Sequence, residues 1–228
     1  MLKVSERSKE KERVVERFFD RISGRYDLLN HVLSLGVDVS WRRELVSSVT
    51  DASCVLDLAT GTGDVAKMLR EAGANVFALD ISMAMLKIAK RKGVAPYLVR
   101  GSSMTLPFKD GSFSWITVAF GVRNFPDVFL SLKEMWRVLE KGGGVSVLEF
   151  SLPRSTFLRV PYMLYFRYIL PLVGRILSDG EAYKYLPESV IAFPKDREFV
   201  AIMEKAGFKD VRFWHLTFGI VTLYVGKK

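Results

Sequence analysis

The stretch Val55-Leu56-Asp57-Leu58-Ala59-Thr60-Gly61-Thr62-Gly63-Asp64-Val65-Ala66 decides the fold. Val55 to Leu58 is a short apolar run broken by one carboxylate, the pattern of a buried strand. Gly61 and Gly63 supply a turn. Val65, Ala66, Met68 and Leu69 then recur at helical spacing until Gly73, a C-cap. Strand, glycine turn and helix in that order make one βα unit, and the pattern repeats downstream. Val76–Leu79 ends at Asp80, a helix over Ser82–Lys92 stops at Gly93, and Tyr97–Val99 is a third strand. Trp115–Ala119 precedes a helix from Asp127 to Leu139, and Gly142-Gly143-Gly144 turns into Val145–Phe150. Five buried strands alternating with helices predict a doubly wound α/β sheet.

Outside this block the alternation stops. Upstream, Val14, Val15, Phe18, Phe19 and Ile22 form one apolar stripe of a helix over Ser5–Ile22. Downstream, residues 151–186 are helical in pattern but punctuated by Pro153, Pro161, Pro171 and Pro187, as an insert is. A helix over Lys195–Lys205 and two β-rich runs, Val211–Leu216 and Ile220–Val225, close the chain. The expected organisation is an N-terminal helical cap over residues 1–50 and a main domain over 51–228 containing the insert.

With 228 residues, 49% of them hydrophobic, the chain is long and apolar enough for one self-sufficient core. Its lone cysteine, Cys54, excludes an internal disulfide and points to a cytoplasmic setting. Two histidines make a histidine-built metal site improbable, and no metal is expected. The charged start, Lys3 to Arg13, is no signal peptide, and no apolar window is long enough to span a bilayer. Net charge is +9. From Ser151 to Ser178 stand Arg154, Arg159, Arg167 and Arg175 with no acid, among aromatics and aliphatics. That segment predicts a lid that meets an anionic membrane surface, the alternative being a helical subdomain packed on the sheet or a dimer contact. The remaining charges are mostly interleaved, so nucleic acid is not an expected partner.

Ligands of an open α/β sheet bind beyond the carboxyl ends of the strands. Gly61-x-Gly63-x-x-Ala66 formally satisfies a dinucleotide pattern, which makes an NAD(P)-dependent oxidoreductase the rival enzyme. Asp57 and Asp64 flank the loop, however, with no lysine or arginine before Lys67. Two carboxylates repel a diphosphate and attract a ligand carrying an ammonium and a sulfonium, which S-adenosylmethionine does. Asp80 is placed to accept from ribose hydroxyls. The plain alternative is a helix capped by Thr62 or Asp64.

The match extends well beyond this loop. Tyr26-Asp27-Leu28-Leu29-Asn30, Ser34-Leu35-Gly36, Trp41-Arg42, Leu106-Pro107-Phe108 and Phe120-Gly121-Val122-Arg123-Asn124 resemble the signature of the ubiquinone/menaquinone biosynthesis C-methyltransferases. So do Arg137-Val138-Leu139, Tyr185-Leu186-Pro187-Glu188-Ser189, Phe193-Pro194 and Gly219-Ile220-Val221, in the same order. The resemblance implies a class I S-adenosylmethionine-dependent methyltransferase fold: a Rossmann-like seven-stranded sheet, last strand antiparallel. It implies methyl transfer to a ring carbon of a polyprenylated hydroquinone, foremost demethylmenaquinol to menaquinol, with the benzoquinol step of ubiquinone biosynthesis or another small aromatic as alternatives. By position, Asp57, Ala59, Gly61, Thr62 and Gly63 hold the methionyl portion and Asp80 the ribose. Ser102 and Ser103 line the adenine, and Ala119 sits under the reacting end. The chain departs from the family pattern at His31, Asp38, Ser102, Met104 and Glu140-Lys141.

Carbon methylation needs an oriented ring whose hydroxyl loses its proton, and exclusion of water. Arg123 is the candidate to stabilise a phenolate, the alternative being a pair with Asp127 or a carbonyl. Tyr26 and Asp27, in the turn after the first helix, are catalytic candidates as a lid. Asn30 and Asn124 are substrate-positioning candidates. His31 and His215 read as structural, and Met83 and Met85 as packing. A homodimer is a further expected partner, and a basic membrane- or RNA-binding module is the non-enzymatic alternative.

Overall fold

In the computed structural model the described residues are 4–50, 52–153, 155–164 and 182–228. Arg154, Arg167 and Arg175, with the aromatics Tyr165, Phe166 and Tyr168, lie outside them.

Three helices precede the sheet: α1 (Glu6–Ile22), α2 (Tyr26–Leu33) and α3 (Asp38–Ser47). The alternating block follows as β1 (Cys54–Leu58), α4 (Asp64–Glu71), β2 (Asn75–Asp80), α5 (Met83–Arg91), β3 (Tyr97–Arg100), β4 (Phe113–Ala119), α6 (Val128–Val138) and β5 (Leu139–Phe150). Then come α7 (Thr156–Leu164), α8 (Ala182–Ala192), α9 (Arg197–Ala206), β6 (Lys209–Leu216) and β7 (Val221–Lys227). The sheet has seven strands in the order β3-β2-β1-β4-β5-β7-β6. β1 to β5 pair in parallel, and β7 enters antiparallel between β5 and β6. The strand order reverses between β1 and β4, which places the ligand crevice over their carboxyl ends.

Successive side chains along a strand face opposite layers. Leu56, Leu58, Ile116 and Val118 therefore join Met135, Phe199 and Met203 from α6 and α9 on one face. Val55, Val76, Trp115 and Leu148 join Trp41, Leu45, Val65 and Leu69 from α3 and α4 on the other. Full burial of each such aliphatic side chain contributes about 1.5–3 kcal/mol, so the two layers hold the sheet edge to edge.

Two local expectations change. The glycine run is not a turn before the strand but part of β5, whose register with β4 slips between Phe113↔Leu139 and Trp115↔Gly144. A Cβ on Gly144 would stand 2.6 Å from the Trp115 ring, so glycine is what lets the indole lie across the strand. Trp115 Nε1 then donates to Ser146 Oγ at 2.9 Å, satisfying the buried ring. The turn after α1 is only Ser23–Arg25, a 3₁₀ turn, and Tyr26 and Asp27 already open α2. Among the described residues no helix is long and apolar enough to cross a membrane.

Candidate active site

The glycine loop leaves β1 through left-handed backbone at Ala59, Gly61 and Gly63. Gly63 is required sterically, since a Cβ there would stand 2.3 Å from Val94 Cγ2. It is itself the N-cap of α4, with no side-chain cap bond, so neither Thr62 nor Asp64 caps the helix. Thr62 instead donates its hydroxyl to Asp27 Oδ1 at 2.5 Å. The other carboxylate oxygen of Asp27 pairs with Lys92 at 2.8 Å.

Two buried carboxylates stand behind the loop. Asp57 accepts from Thr60 Oγ1 at 2.6 Å and Thr117 Oγ1 at 2.7 Å. Asp80 accepts from the Gly61 and Ser82 amides, each at 2.8 Å. Burial pushes both carboxyls up to about 6, against the pull of these donors, and the neighbouring charge raises Asp57 further.

Asp64 departs from the expected picture. Its charge is answered by Lys92 at 2.9 Å and faced by Arg42 at 3.8 Å, neither near it in sequence. Asp57 and Asp80, with Glu12 of α1, are thus the carboxylates left to set the potential of the crevice.

Two adjoining clefts open over these ends. Tyr26, Ala59, Gly61, Ala119 and Phe120 line both. The larger runs past Asp80 to Met85, Gly101 and Ser103, roofed by Glu12, Val15 and Phe19 of α1. That contact explains the apolar stripe of α1: Val15 and Phe19 face the cleft, while Val14 is exposed. The smaller holds Asp57, Thr62, Asp64 and Arg42. An elongated crevice with apolar walls, a carboxylate midway and opposite charges at one end fits a nucleoside joined to an amino acid. S-adenosylmethionine has that layout.

Arg42, absent from the expected set, is the basic group at the amino-acid end. Its guanidinium pairs with buried Asp38, which also accepts from Ser34 Oγ at 2.6 Å and faces His31 Nδ1 at 3.2 Å. Burial alone would raise the Asp38 carboxyl, but the Ser34 hydroxyl and Arg42 hold it below its ordinary value. Arg42 belongs to the Trp41-Arg42 motif, whose separation from the loop in sequence hides the contact.

Beside Asn124, Arg123 lines neither cleft and pairs with fully buried Glu149 at 2.7 Å rather than with Asp127, which caps α6. Its guanidinium also donates to the Phe120 carbonyl and lies over the Phe150 ring at 5.3 Å. Arg123 Nε and Asn124 Oδ1 are buried with no hydrogen-bond partner among the described residues. Asn124 lines the larger cleft. The Tyr26 hydroxyl shares a hydrogen bond with Asn30, and burial pushes its pKa up. Ser103 Oγ pairs with Ser131 Oγ at 2.9 Å, and Ser102 donates to Glu12. His215 is bonded to Thr222 at 3.1 Å, a structural role. Met85 is buried packing as expected, but Met83 is exposed.

Known proteins match this chain along its length. A protein of Geotalea uraniireducens named "Ubiquinone/menaquinone biosynthesis C-methyltransferase UbiE" is 43% identical, covering 96% of this chain and 98% of its own length. The "Demethylmenaquinone methyltransferase" of Thermus thermophilus is 44% identical over 92% and 99% of the two chains. Among solved structures, a Thermotoga maritima S-adenosylmethionine-dependent methyltransferase superposes with a TM-score of 0.70 over 93% and 99% of the chains. At 21% identity it bears on the fold alone, which is that of class I methyltransferases. S-adenosylmethionine is the cofactor, and the protein is an enzyme. The sequence pattern of the ubiE/COQ5 methyltransferase family matches residues 6–228, and the chain belongs to that family.

Proposed function

We propose that this protein methylates a ring carbon of a polyprenylated hydroquinone, converting demethylmenaquinol to menaquinol. The observation that carries the reading is Asp80. It ends β2 with its carboxylate on the Gly61 amide and lines the larger cleft, in a chain 44% identical to a demethylmenaquinone methyltransferase. The benzoquinol step of ubiquinone biosynthesis is the second reading, favoured by the Geotalea relative, whose name covers both quinones.

Bound S-adenosylmethionine supplies a methyl group already activated on a sulfonium. The chain holds that cofactor with Asp80 at the ribose hydroxyls and Asp57 and the loop from Ala59 to Gly63 at the amino-acid end. Arg42 receives the carboxylate there. Ala119, small and on both clefts, leaves room under the reacting end. Ser102 and Ser103 border the base.

At the quinol, Asn124 Oδ1 accepts the ring hydroxyl, which gives that buried oxygen its missing partner. Tyr26, kept protonated by its raised pKa and oriented through Asn30, donates to the ring oxygen. Arg123 offsets the negative charge that develops as the ring hydroxyl passes its proton to a water molecule, because a preorganised cation stabilises an oxyanion without reorganising. Glu149 fixes where that cation stands. Asp27, bonded to Thr62 and Lys92, positions the loop rather than touching the ring. The route to a membrane-dissolved substrate is α7, which carries Arg159.

The test is transfer of label from methyl-labelled S-adenosylmethionine to demethylmenaquinol and to a demethoxy-type benzoquinol, side by side. Label in the naphthoquinol is the expected result. Label only in the benzoquinol selects the second reading, and label in neither overturns both.

A further inference from the structure

We propose that Glu12 of α1 is the acceptor for the exocyclic amine of the cofactor's adenine, and so the residue that lets the cleft choose adenine over a 6-oxo purine. The proposal rests on the S-adenosylmethionine reading of the cleft. Beside Asp80 the larger cleft is lined by Leu79, Ile81, Met85 and Gly101, an apolar slot suited to a flat ring. A purine there buries an amino group, and a buried donor needs an acceptor.

The slot's polar groups can be taken in turn. Asp80 is occupied by the Gly61 and Ser82 amides and faces the ribose position. Ser103 is paired with Ser131. Ser102 donates its proton to Glu12 Oε1 and accepts from the Met104 amide at 3.1 Å. Glu12 lines the cleft, and among the described residues its second oxygen, Oε2, has no protein partner. That oxygen is the free acceptor at this end.

Glu12 is held where it stands. Glu12, Glu16 and Asp20 recur every four residues, so one face of α1 runs along the cleft rim. Glu16 pairs with Arg100 at the end of β3. Asp20 accepts from Ser82 Oγ at 2.5 Å and the Ala84 amide at 3.3 Å, at the start of α5. Lys11 donates to the Phe125 carbonyl at 3.1 Å. These contacts fix the helix from both sides of the slot, so the carboxylate is positioned before any ligand arrives.

A 6-oxo purine presents a carbonyl where adenine presents an amine, and two acceptors then face each other. A site built to hydrogen-bond one group rejects the analogue lacking it. The experiment is calorimetric titration of S-adenosylhomocysteine and its inosine counterpart into wild type, Glu12→Ala and Glu12→Gln, with helix content checked by circular dichroism. Wild type should prefer the adenosyl ligand by about tenfold or more. Glu12→Ala should bring the two affinities within about threefold, by weakening the adenosyl ligand. Glu12→Gln, whose amide can accept from the amine or donate to the carbonyl, should also narrow the ratio. A ratio unchanged in Glu12→Ala, including an equal loss for both ligands, overturns the proposal. So does a wild type indifferent to the base. A wild type that binds neither ligand overturns the cofactor reading and this proposal with it.

Discussion

Asp27 Oδ1 accepts the Thr62 hydroxyl at 2.5 Å, so the second residue of α2 is bonded directly to the glycine loop. Lys92, at the end of α5, completes the clasp by reaching Asp27 Oδ2 at 2.8 Å and Asp64 Oδ1 at 2.9 Å. Four elements separated in sequence meet there. Tyr26 precedes Asp27 and lines both clefts, so this clasp sets where its hydroxyl stands.

The clasp should therefore show as energetic coupling. In a double-mutant cycle of Asp27→Asn and Thr62→Val, we expect about 0.5–1.5 kcal/mol of interaction in S-adenosylhomocysteine binding. Each single variant should weaken binding by up to about tenfold. Strictly additive losses would show that the bond does not order the loop.

Under the proposed role of the guanidinium at the quinol oxygen, Arg123→Met should lower turnover far more than cofactor affinity. The variant also strands Glu149, which is fully buried, and an unpaired buried charge costs about 3–5 kcal/mol. Arg123→Met/Glu149→Gln separates the two effects: thermal stability should largely return and turnover should not. Turnover restored with stability would make Arg123 a structural residue.

Much of this architecture was legible in the chain because it is written locally. Apolar runs of strand length, glycine turns and helical periodicity identified β1 to β5, and the ends of those strands located the cleft. Three features were not legible. Lys92 and Arg42 reach Asp64 from other helices, so the loop is less acidic than its neighbours in sequence suggest. Arg123 has an acid four residues on, Asp127, yet pairs with Glu149 because β5 lies beside β4. Gly142 to Gly144 look like a turn, but the constraint on Gly144 is the Trp115 ring on the adjacent strand. In each case the deciding partner is set by packing between elements, which periodicity does not encode.

The raised carboxyls make binding pH-dependent. Asp57 and Asp80 are pushed up to about 6, chiefly by burial, from ordinary values of 3.8. The folded chain therefore holds their protons more tightly than the unfolded one. Their contribution to stability is fully present below pH 3.8 and lost as pH rises through about 6. At neutral pH each ionised carboxylate costs the fold on the order of 3 kcal/mol. A ligand that donates hydroxyls and an ammonium favours the ionised forms. Binding of S-adenosylhomocysteine at pH 6 should then release up to about one proton, and at pH 8 close to none. Calorimetry in buffers of differing ionisation enthalpy measures this directly. Asp80→Ala should weaken binding at least tenfold and reduce the release. Proton uptake at pH 6 would overturn the assignment.

The last prediction concerns how a bilayer-dissolved quinol reaches the cleft. On α7, Phe157, Val160 and Leu164 recur at three- and four-residue spacing, and all are exposed, Phe157 by 86%. Arg159 stands among them. Ser151, at the start of this segment, donates its amide to the Ile220 carbonyl at 2.7 Å, close in sequence to Phe218, itself 78% exposed. An exposed apolar helix face carrying Arg159, in a stretch of sequence with four arginines and no acid from 151 to 178, suits an anionic lipid surface. Each such arginine contributes about 1 kcal/mol near that surface, and insertion of the Phe157 ring adds apolar burial. We expect co-sedimentation with anionic vesicles and not with neutral ones, at low ionic strength. Changing the four arginines to glutamine should abolish it, and Phe157→Ser should weaken it, while S-adenosylhomocysteine affinity stays unchanged. Sedimentation indifferent to lipid charge and to these substitutions would refute a membrane-facing role for the segment and leave the methyltransferase reading intact.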